Sequence, residues 1–278
     1  MKKLFVLAAA AISMAASAQV NIQLHYDLGR QLYPNDESNR GQVTTTVEMF
    51  KADRLGSTYF FVDFDYCGNT RYINPVDGST VDDPIRGTIG AYWEVSRDFT
   101  FYKVKRNNKH NFSAHIEYDG GLSLGGKSFQ QAMLVGPAWN WHSADFKKTF
   151  TLQVMYKQFF NQTDELGLRS HDAHPSFQIT PIWNITFAND LCTFSGFADL
   201  WYGWGSNFKA GFDQQKGLVF LTEPQFWFHV VNKGKTSNRL SVGTEVEISN
   251  NFIYGTPYGS NTNKTFFINP TIAVKWDI

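Results

Sequence analysis

This sequence has few cysteines, no surplus of charge and no long apolar run after its opening residues, and each shortage excludes something. Two cysteines permit one disulfide at most. With 25 basic and 25 acidic residues the formal charge is zero, which argues against a nucleic-acid partner, because that partner selects a strongly basic face. Beyond Gln19 no stretch approaches the roughly 18 to 20 apolar residues that a membrane-spanning helix needs, although 42% of the chain is hydrophobic and 16% aromatic. The opening is different. Lys2 and Lys3 form a positive start, Leu4 to Ala15 an apolar core, and Ala16-Ser17-Ala18 a small-residue cleavage site, the pattern of a secretory signal peptide. Residues 1–18 are therefore expected to be removed on export, leaving 19–278 as one domain with 23 basic and 25 acidic residues, a charge of −2. An exported, aromatic-rich chain without a spanning helix is soluble, secreted, or a membrane barrel.

The pattern of the last fourteen residues favours the barrel. Phe266, Ile268, Pro270, Ile272, Val274, Trp276 and Ile278 alternate with Phe267, Asn269, Thr271, Ala273, Lys275 and Asp277, giving one greasy and one largely polar wall. Twelve segments share this period, near 20–29, 43–52, 58–67, 87–97, 111–119, 130–142, 147–160, 175–188, 192–204, 217–230, 239–252 and 265–278. Most reach the length a tilted membrane strand requires, and twelve is even, as single-chain bacterial barrels demand. Alternate connections are long and polar: 30–42, 68–86, 120–129, 161–174, 205–216 and 253–264. Those between them are short, except 98–110, where Phe99-Thr100-Phe101-Tyr102 suggests that the fourth strand continues or carries a bulge. The fold expected is all-β, a transmembrane antiparallel up-and-down β-barrel of twelve strands in an outer membrane, in contact with lipid and lipopolysaccharide.

If the greasier face of each strand meets lipid, the other lines a lumen. A dozen strands close to a backbone diameter of roughly 24 Å, enough for small solutes. The lumen-facing candidates are His25, Asp27, Glu48, Tyr59, Phe61, Asp63, Asp65, Tyr92, Glu94, Glu117, Asp199, Trp201 and Glu223, with His115, Lys157, Glu245 and Glu247 on the same face. Carboxylates in such excess repel anions and tolerate cations or neutral polar solutes, and the aromatic rings offer faces for a flat base or sugar. The plainer alternative is that the carboxylates pair with the few basic residues and stiffen the wall while the aromatics fill space.

The segment Thr46 to Asp53 followed by Thr58 to Tyr66 resembles the second hairpin of the Tsx-type nucleoside-specific channels of the outer membrane. Val154-Met155-Tyr156-Lys157, then Phe177 to Phe187, then Phe197-Ala198-Asp199-Leu200-Trp201-Tyr202-Gly203-Trp204-Gly205-Ser206-Asn207 extend the resemblance over most of the mature chain. It implies a monomeric twelve-stranded barrel whose narrow lumen passes nucleosides. The sequence departs from outer-membrane barrels at its end, where Trp276-Asp277-Ile278 stands in place of a terminal Phe or Trp. The leading expectation is a passive channel for small polar solutes, most of all nucleosides, needing no cofactor. A closed barrel acting as a structural or surface-binding protein is the alternative, and a soluble sandwich or lipocalin-like binder a third.

Other constellations point more weakly. An outer-membrane phospholipase needs a serine and its histidine on one strand face, with an asparagine to orient the base. His142 and Ser143 are adjacent and so point to opposite sides, and no enzyme is expected. His171 and His174 around Asp172, or Asp77, Asp82 and Asp83, are possible metal ligands in loops, though solvated loops are the commoner meaning of such groups. Lys103, Lys105, Arg106, Lys109 and His110 form a basic run in a predicted turn. Cys67 and Cys192 fall at opposite ends of the barrel, beyond the approximately 7 Å limit for a disulfide, and are expected to be free thiols.

Overall fold

In the computed structural model of the chain, the residues described are 18–32, 43–67, 70–73, 80–83, 87–103, 109–123, 126–163, 168–204, 216–252 and 266–278. The expected signal peptide lies outside them, apart from Ala18. No helix among the described residues is long and apolar enough to cross a membrane.

The elements in chain order are β1 (Gln19–Asp27), α1 (Gly29–Leu32), β2 (Val43–Asp53), β3 (Gly56–Cys67), β4 (Thr70–Ile73), β5 (Thr80–Asp83), β6 (Gly87–Lys103), β7 (His110–Ser123), β8 (Ser128–His142) and β9 (Lys148–Phe159). There follow β10 (Gln162–Thr163), β11 (Arg169–His171), β12 (His174–Phe187), β13 (Cys192–Trp204), β14 (Lys216–Thr222), β15 (Gln225–Val231), β16 (Arg239–Asn250) and β17 (Phe266–Asp277). Thirteen strands form one antiparallel sheet in which successive strands pair in turn, β12 with β13 among them, and the first and last, β1 and β17, pair with each other. The sheet is therefore closed. Since β14 and β15 both lie between β13 and β16, they are halves of one stave, and thirteen strands make twelve staves.

The break in that stave falls at Glu223-Pro224, where proline has no N–H to give to a ladder. Pairing resumes around it, with Glu223 N–H donating to the Phe197 carbonyl at 3.2 Å and Val246 N–H to the Pro224 carbonyl at 3.0 Å. At the seam, Asn21 faces Asp277, Leu24 faces Val274 and Asp27 faces Thr271. The Ile278 N–H adds a bond to the Val20 carbonyl at 2.9 Å. The long stretch expected around 98–110 is mostly strand, since β6 runs for 17 residues and carries a bulge between Thr100 and Tyr102.

The alternation read in the sequence maps onto the two walls. On β17, Phe266, Ile268, Ile272, Val274 and Trp276 are exposed on the outside, while Phe267, Asn269, Ala273 and Asp277 are buried within. Ile22, Leu24 and Tyr26 continue the outer band on β1, as do Val242 and Leu240 on β16. Exposed apolar side chains on this scale on a closed barrel are what a bilayer requires of its solute.

Short turns fill one rim. Between β2 and β3, Asp53 accepts from the Leu55 and Gly56 N–H groups at 2.8 and 3.1 Å, and from both terminal nitrogens of Arg97 at 2.8 Å. The Arg97 guanidinium beside Asp53 holds its carboxyl well below the usual carboxylate range, with the Leu55 amide adding to the effect. Gly56 lies so close to β6 that a Cβ there would meet the Asp98 carbonyl oxygen at 2.0 Å, and its φ of +151° also disfavours a side chain. Two neighbouring turns are tied by Lys147 and Asp190 at 2.6 Å.

At the other rim the long connections carry the hairpins β4–β5 and β10–β11, where the sequence reading has only loop. Strands of two to four residues leave too few alternations to register. Asp82 and Asp83 sit on β5 opposite Arg71 and Thr70, and Asp77 lies outside the described residues. Cys67 ends β3 at this rim, whereas Cys192, a free thiol, opens β13 at the short-turn rim.

Two outcomes test this architecture. Ile272→Arg puts a charge in the lipid-facing band at mid-strand and is expected to lower stability by about 2–4 kcal/mol, measured by urea titration of protein folded into vesicles; an unchanged midpoint would contradict the outward placement. Asp53→Asn is expected to lower stability at neutral pH, with the difference shrinking as pH falls below about 4. A carboxyl whose folded pKa is depressed stabilises above its unfolded value and loses that contribution as acid protonates it. A pH-independent difference in parallel melts would mean that the Arg97 clamp carries no charge effect.

Candidate functional site in the barrel lumen

The inward face of the wall carries a belt of carboxylates contributed by most of its circumference. Glu48 comes from β2, Asp63 and Asp65 from β3, Glu94 from β6, Glu117 and Asp119 from β7, and Asp199 from β13. Glu223 comes from the break between β14 and β15, and Glu245 and Glu247 from β16. The charges stand on neighbouring strands, as Glu48 and Asp63 do on β2 and β3, and on distant ones, as Asp63 and Glu245 do on β3 and β16. β3 and β16 are separated along the sheet by β2, β1 and β17, so the path between Asp63 and Glu245 is a chord rather than an arc. Among the described residues, the cations meeting this belt are few. Lys157 pairs with Asp119 at 3.0 Å, His115 lies between Asp98 at 2.8 Å and Glu117 at 3.1 Å, and His25 comes within 3.9 Å of Glu245; away from the belt, Arg239 pairs with Asp277 at 2.7 Å and Lys275 lies 4.9 Å from the Trp227 ring.

Neutral donors hold most of the rest. Glu48 accepts from Asn21 at 2.7 Å, Gln23 at 3.0 Å and the Tyr59 hydroxyl at 2.8 Å. Thr44 donates to Asp65 at 2.7 Å, Thr46 to Asp63, Thr180 to Asp199, Gln225 to Glu245, and Tyr92 to Glu94 at 2.7 Å. Three of these pairings follow from ladder register: Thr44 faces Asp65 and Thr46 faces Asp63 across β2 and β3, and Gln225 faces Glu245 across β15 and β16. A threonine hydroxyl or side-chain amide orients a carboxylate without cancelling its charge.

Aromatic rings stand beside part of the belt. Tyr59, Phe61, Tyr92 and Phe129 follow one another at centroid separations of 6.1, 5.8 and 6.1 Å across β3, β6 and β8. Their spacing matches that of interacting aromatic pairs. Next along the sheet, beginning on β8 itself, Leu134, Met155, Phe159, Trp201, Val219 and Leu221 form a buried apolar pad, with Phe197 and Phe252 packed against it.

Trp201 belongs to that pad. Only 3% exposed, it meets Phe252 edge-on at 5.6 Å. The Lys157 ammonium lies 5.3 Å from the Trp201 ring and 5.0 Å from that of Phe159, and donates to Gln178 at 2.7 Å.

The other expected lumen residues fall into two groups. Glu48, Tyr59, Phe61, Asp63, Asp65, Tyr92, Glu94, Glu117, Asp199 and Glu223 belong to the belt or the ring ladder. Asp27 and His25 are drawn into local structure: Asp27 accepts from Asn269 at 2.8 Å and from the Gly29 N–H that opens α1, and His25 bonds Thr271 at 3.1 Å and Gln23 at 3.0 Å, its ring edge-on to Trp227. Asp119 is the belt member that the sequence reading missed, because it stood at a proposed strand end. Its parity with Glu117 was the available signal.

The loop histidines sit among aromatic rings. His174 stacks on Phe159 at 4.7 Å, and His171 lies 5.0 Å from Trp204. Near the turn after β8, His142 bonds the Ser143 carbonyl oxygen at 2.8 Å and stacks on Phe146, while the Ser143 hydroxyl donates to Asp145 at 2.6 Å. Serine and histidine are thus not coupled as nucleophile and base. Most of the basic run lies outside the described residues, and His110 stacks on Trp139 at 5.6 Å.

Residues 18–278 match the family model described as "Domain of unknown function (DUF5020)". No curated protein matches. Among solved structures the chain is similar to one described as the NanC porin in a rhombohedral crystal form, at 11% identity and a TM-score of 0.52, over 93% of this chain and 100% of that one. It is also similar to the outer membrane protein Omp33 of Acinetobacter baumannii, at 10% identity and a TM-score of 0.34, over 94% and 98%. The NanC likeness supports the barrel architecture and nothing finer. What stands of the Tsx-type resemblance is likewise the barrel.

Lys157→Met tests the electrostatic account of the wall. Asp119 would be left buried without its partner, which is expected to lower stability by about 3–5 kcal/mol, read by urea unfolding in detergent micelles. A loss below about 1 kcal/mol would show that the Lys157–Asp119 pair does not hold β9 to β7.

Proposed function

This chain belongs to the DUF5020 family, and we propose that it is an outer-membrane channel for the passive passage of small polar solutes, neutral or cationic, with nucleosides the leading candidates. The observation that carries this reading is the acidic belt. Carboxylates from most sides of the lumen, oriented by neutral donors and answered by few cations, set up a field that excludes anions and admits cations and uncharged polar molecules. The ladder Tyr59–Phe61–Tyr92–Phe129 supplies flat faces beside hydrogen-bonding carboxylates, the pairing of surfaces that a base and a sugar ring present together. The outer apolar band meets lipid and lipopolysaccharide, the closed seam needs no second chain, and the reading is of a monomer acting without a cofactor.

Liposome swelling with purified, refolded protein tests the solute class. Adenosine, uridine and neutral sugars of similar size are expected to enter, and their anionic counterparts to be excluded. Entry of nothing, or of anions equally, would overturn the proposal. In single-channel recording a nucleoside is expected to interrupt the current, and Phe61→Ala with Tyr92→Ala to weaken that block by about tenfold if two ring faces each contribute near 0.5–1.5 kcal/mol; block unaffected by both changes would remove the ladder from the path.

A second reading has a specific observation behind it. The pad of Leu134, Met155, Phe159, Trp201, Val219 and Leu221 fills part of the barrel, which suits a closed barrel with a structural or surface-binding role. Absence of any conductance from correctly folded protein would select it.

A further inference from the structure

Within the belt, three carboxylates are arranged differently from the rest. Glu94 on β6 faces Asp119 on β7 across the ladder, and Glu117 is two residues earlier on the same side of β7. Each offers an oxygen within 4.8 Å of the oxygens of the other two. Like charges so close repel strongly wherever water is scarce.

Each carboxylate is also held by a neighbour through one oxygen. The Tyr92 hydroxyl donates to Oε1 of Glu94 at 2.7 Å, His115 meets Oε2 of Glu117 at 3.1 Å, and the Lys157 ammonium donates to Oδ2 of Asp119 at 3.0 Å. Asp119 then presents an independent anomaly. Its side chain is 1% exposed, and its second oxygen, Oδ1, is buried with no hydrogen-bond partner. A buried carboxylate oxygen without a donor is unfavourable. A carboxylate fixed through one oxygen while its other oxygen stays unsatisfied is the arrangement by which proteins orient ligands for a metal.

We propose that Glu94, Glu117 and Asp119 form a divalent-cation site in the lumen wall. The donors are all oxygen, which selects a hard ion of the calcium class over zinc or copper. Tyr92 and His115 act as positioning residues for Glu94 and Glu117. Lys157, already at Asp119, limits how much positive charge the site gains, so the affinity belongs with weak extracellular sites, with dissociation constants of about 10⁻⁴–10⁻³ M. The proposal rests on the barrel and not on the solute class, and binding is measured without transport.

The probe is calcium itself, titrated calorimetrically into chelator-treated, refolded full-length protein in detergent, with terbium luminescence as a second readout. One ion per barrel is expected in that affinity range, with at least tenfold weakening in Glu117→Gln and in Glu94→Gln, and no weakening in Glu247→Gln on the opposite wall. Heat-modifiable migration in electrophoresis verifies that each variant is folded. Because Asp119→Asn disturbs the Lys157 pair and can fail to fold, the two glutamate variants carry the test. No saturable binding by about 10 mM, or equal binding by wild type and both glutamate variants, overturns the site while leaving the channel untouched. Binding in a barrel that does not conduct upholds the site and removes the channel.

Discussion

Inside a bilayer no water is available to satisfy a peptide N–H or carbonyl, so a sheet that spans it must have no free edge. The pairing of β1 with β17, residue against residue from Asn21–Asp277 to Asp27–Thr271, removes that edge here. Closure gives every stave one face toward lipid and one toward the interior, and it converts the period of two in the sequence into an apolar outside and a polar inside. The interruption at Glu223-Pro224 shows how strict the condition is. Backbone bonds from Glu223 to Phe197 and from Val246 to Pro224 bridge the break.

The interior then has an electrostatic problem that the exterior does not. Carboxylates from both walls crowd a narrow space, and few lysines, arginines and histidines answer them. The structure meets this with neutral donors placed by strand register, such as Thr44 for Asp65, Thr46 for Asp63 and Gln225 for Glu245. Lys157 is used differently. Lying against Phe159 and Trp201 and bonded to Asp119 and Gln178, it joins the apolar pad to the acidic side. Apolar and acidic side chains thus alternate along the same inner face, as Asp199 and Trp201 do on β13.

Much of this division was legible in the sequence. Strand number, the two faces of the last strand, and the inward direction of Asp63, Glu94, Asp199 and Glu223 follow from alternation, because parity is fixed once one residue's direction is known. What alternation does not fix is distance across the lumen. Parity puts Trp201 on the inner face but says nothing of Phe252 arriving beside it from beyond β16 to bury it. Parity cannot say that Asp27 is committed to α1 and Asn269. Asp119 was missed because strand ends are the least certain part of a periodic reading, and it proves to be a charged residue with an unanswered oxygen. The hairpins β4–β5 and β10–β11 are too short to have a period.

The central claim is that the acidic interior governs what passes, and reversal potential in a planar bilayer under a potassium chloride gradient measures it most directly. A barrel with this belt is predicted to reverse near the potassium equilibrium potential, and to move toward zero when Asp63→Asn and Glu223→Gln are combined. Reversal near zero or toward chloride in the unaltered protein would contradict the account.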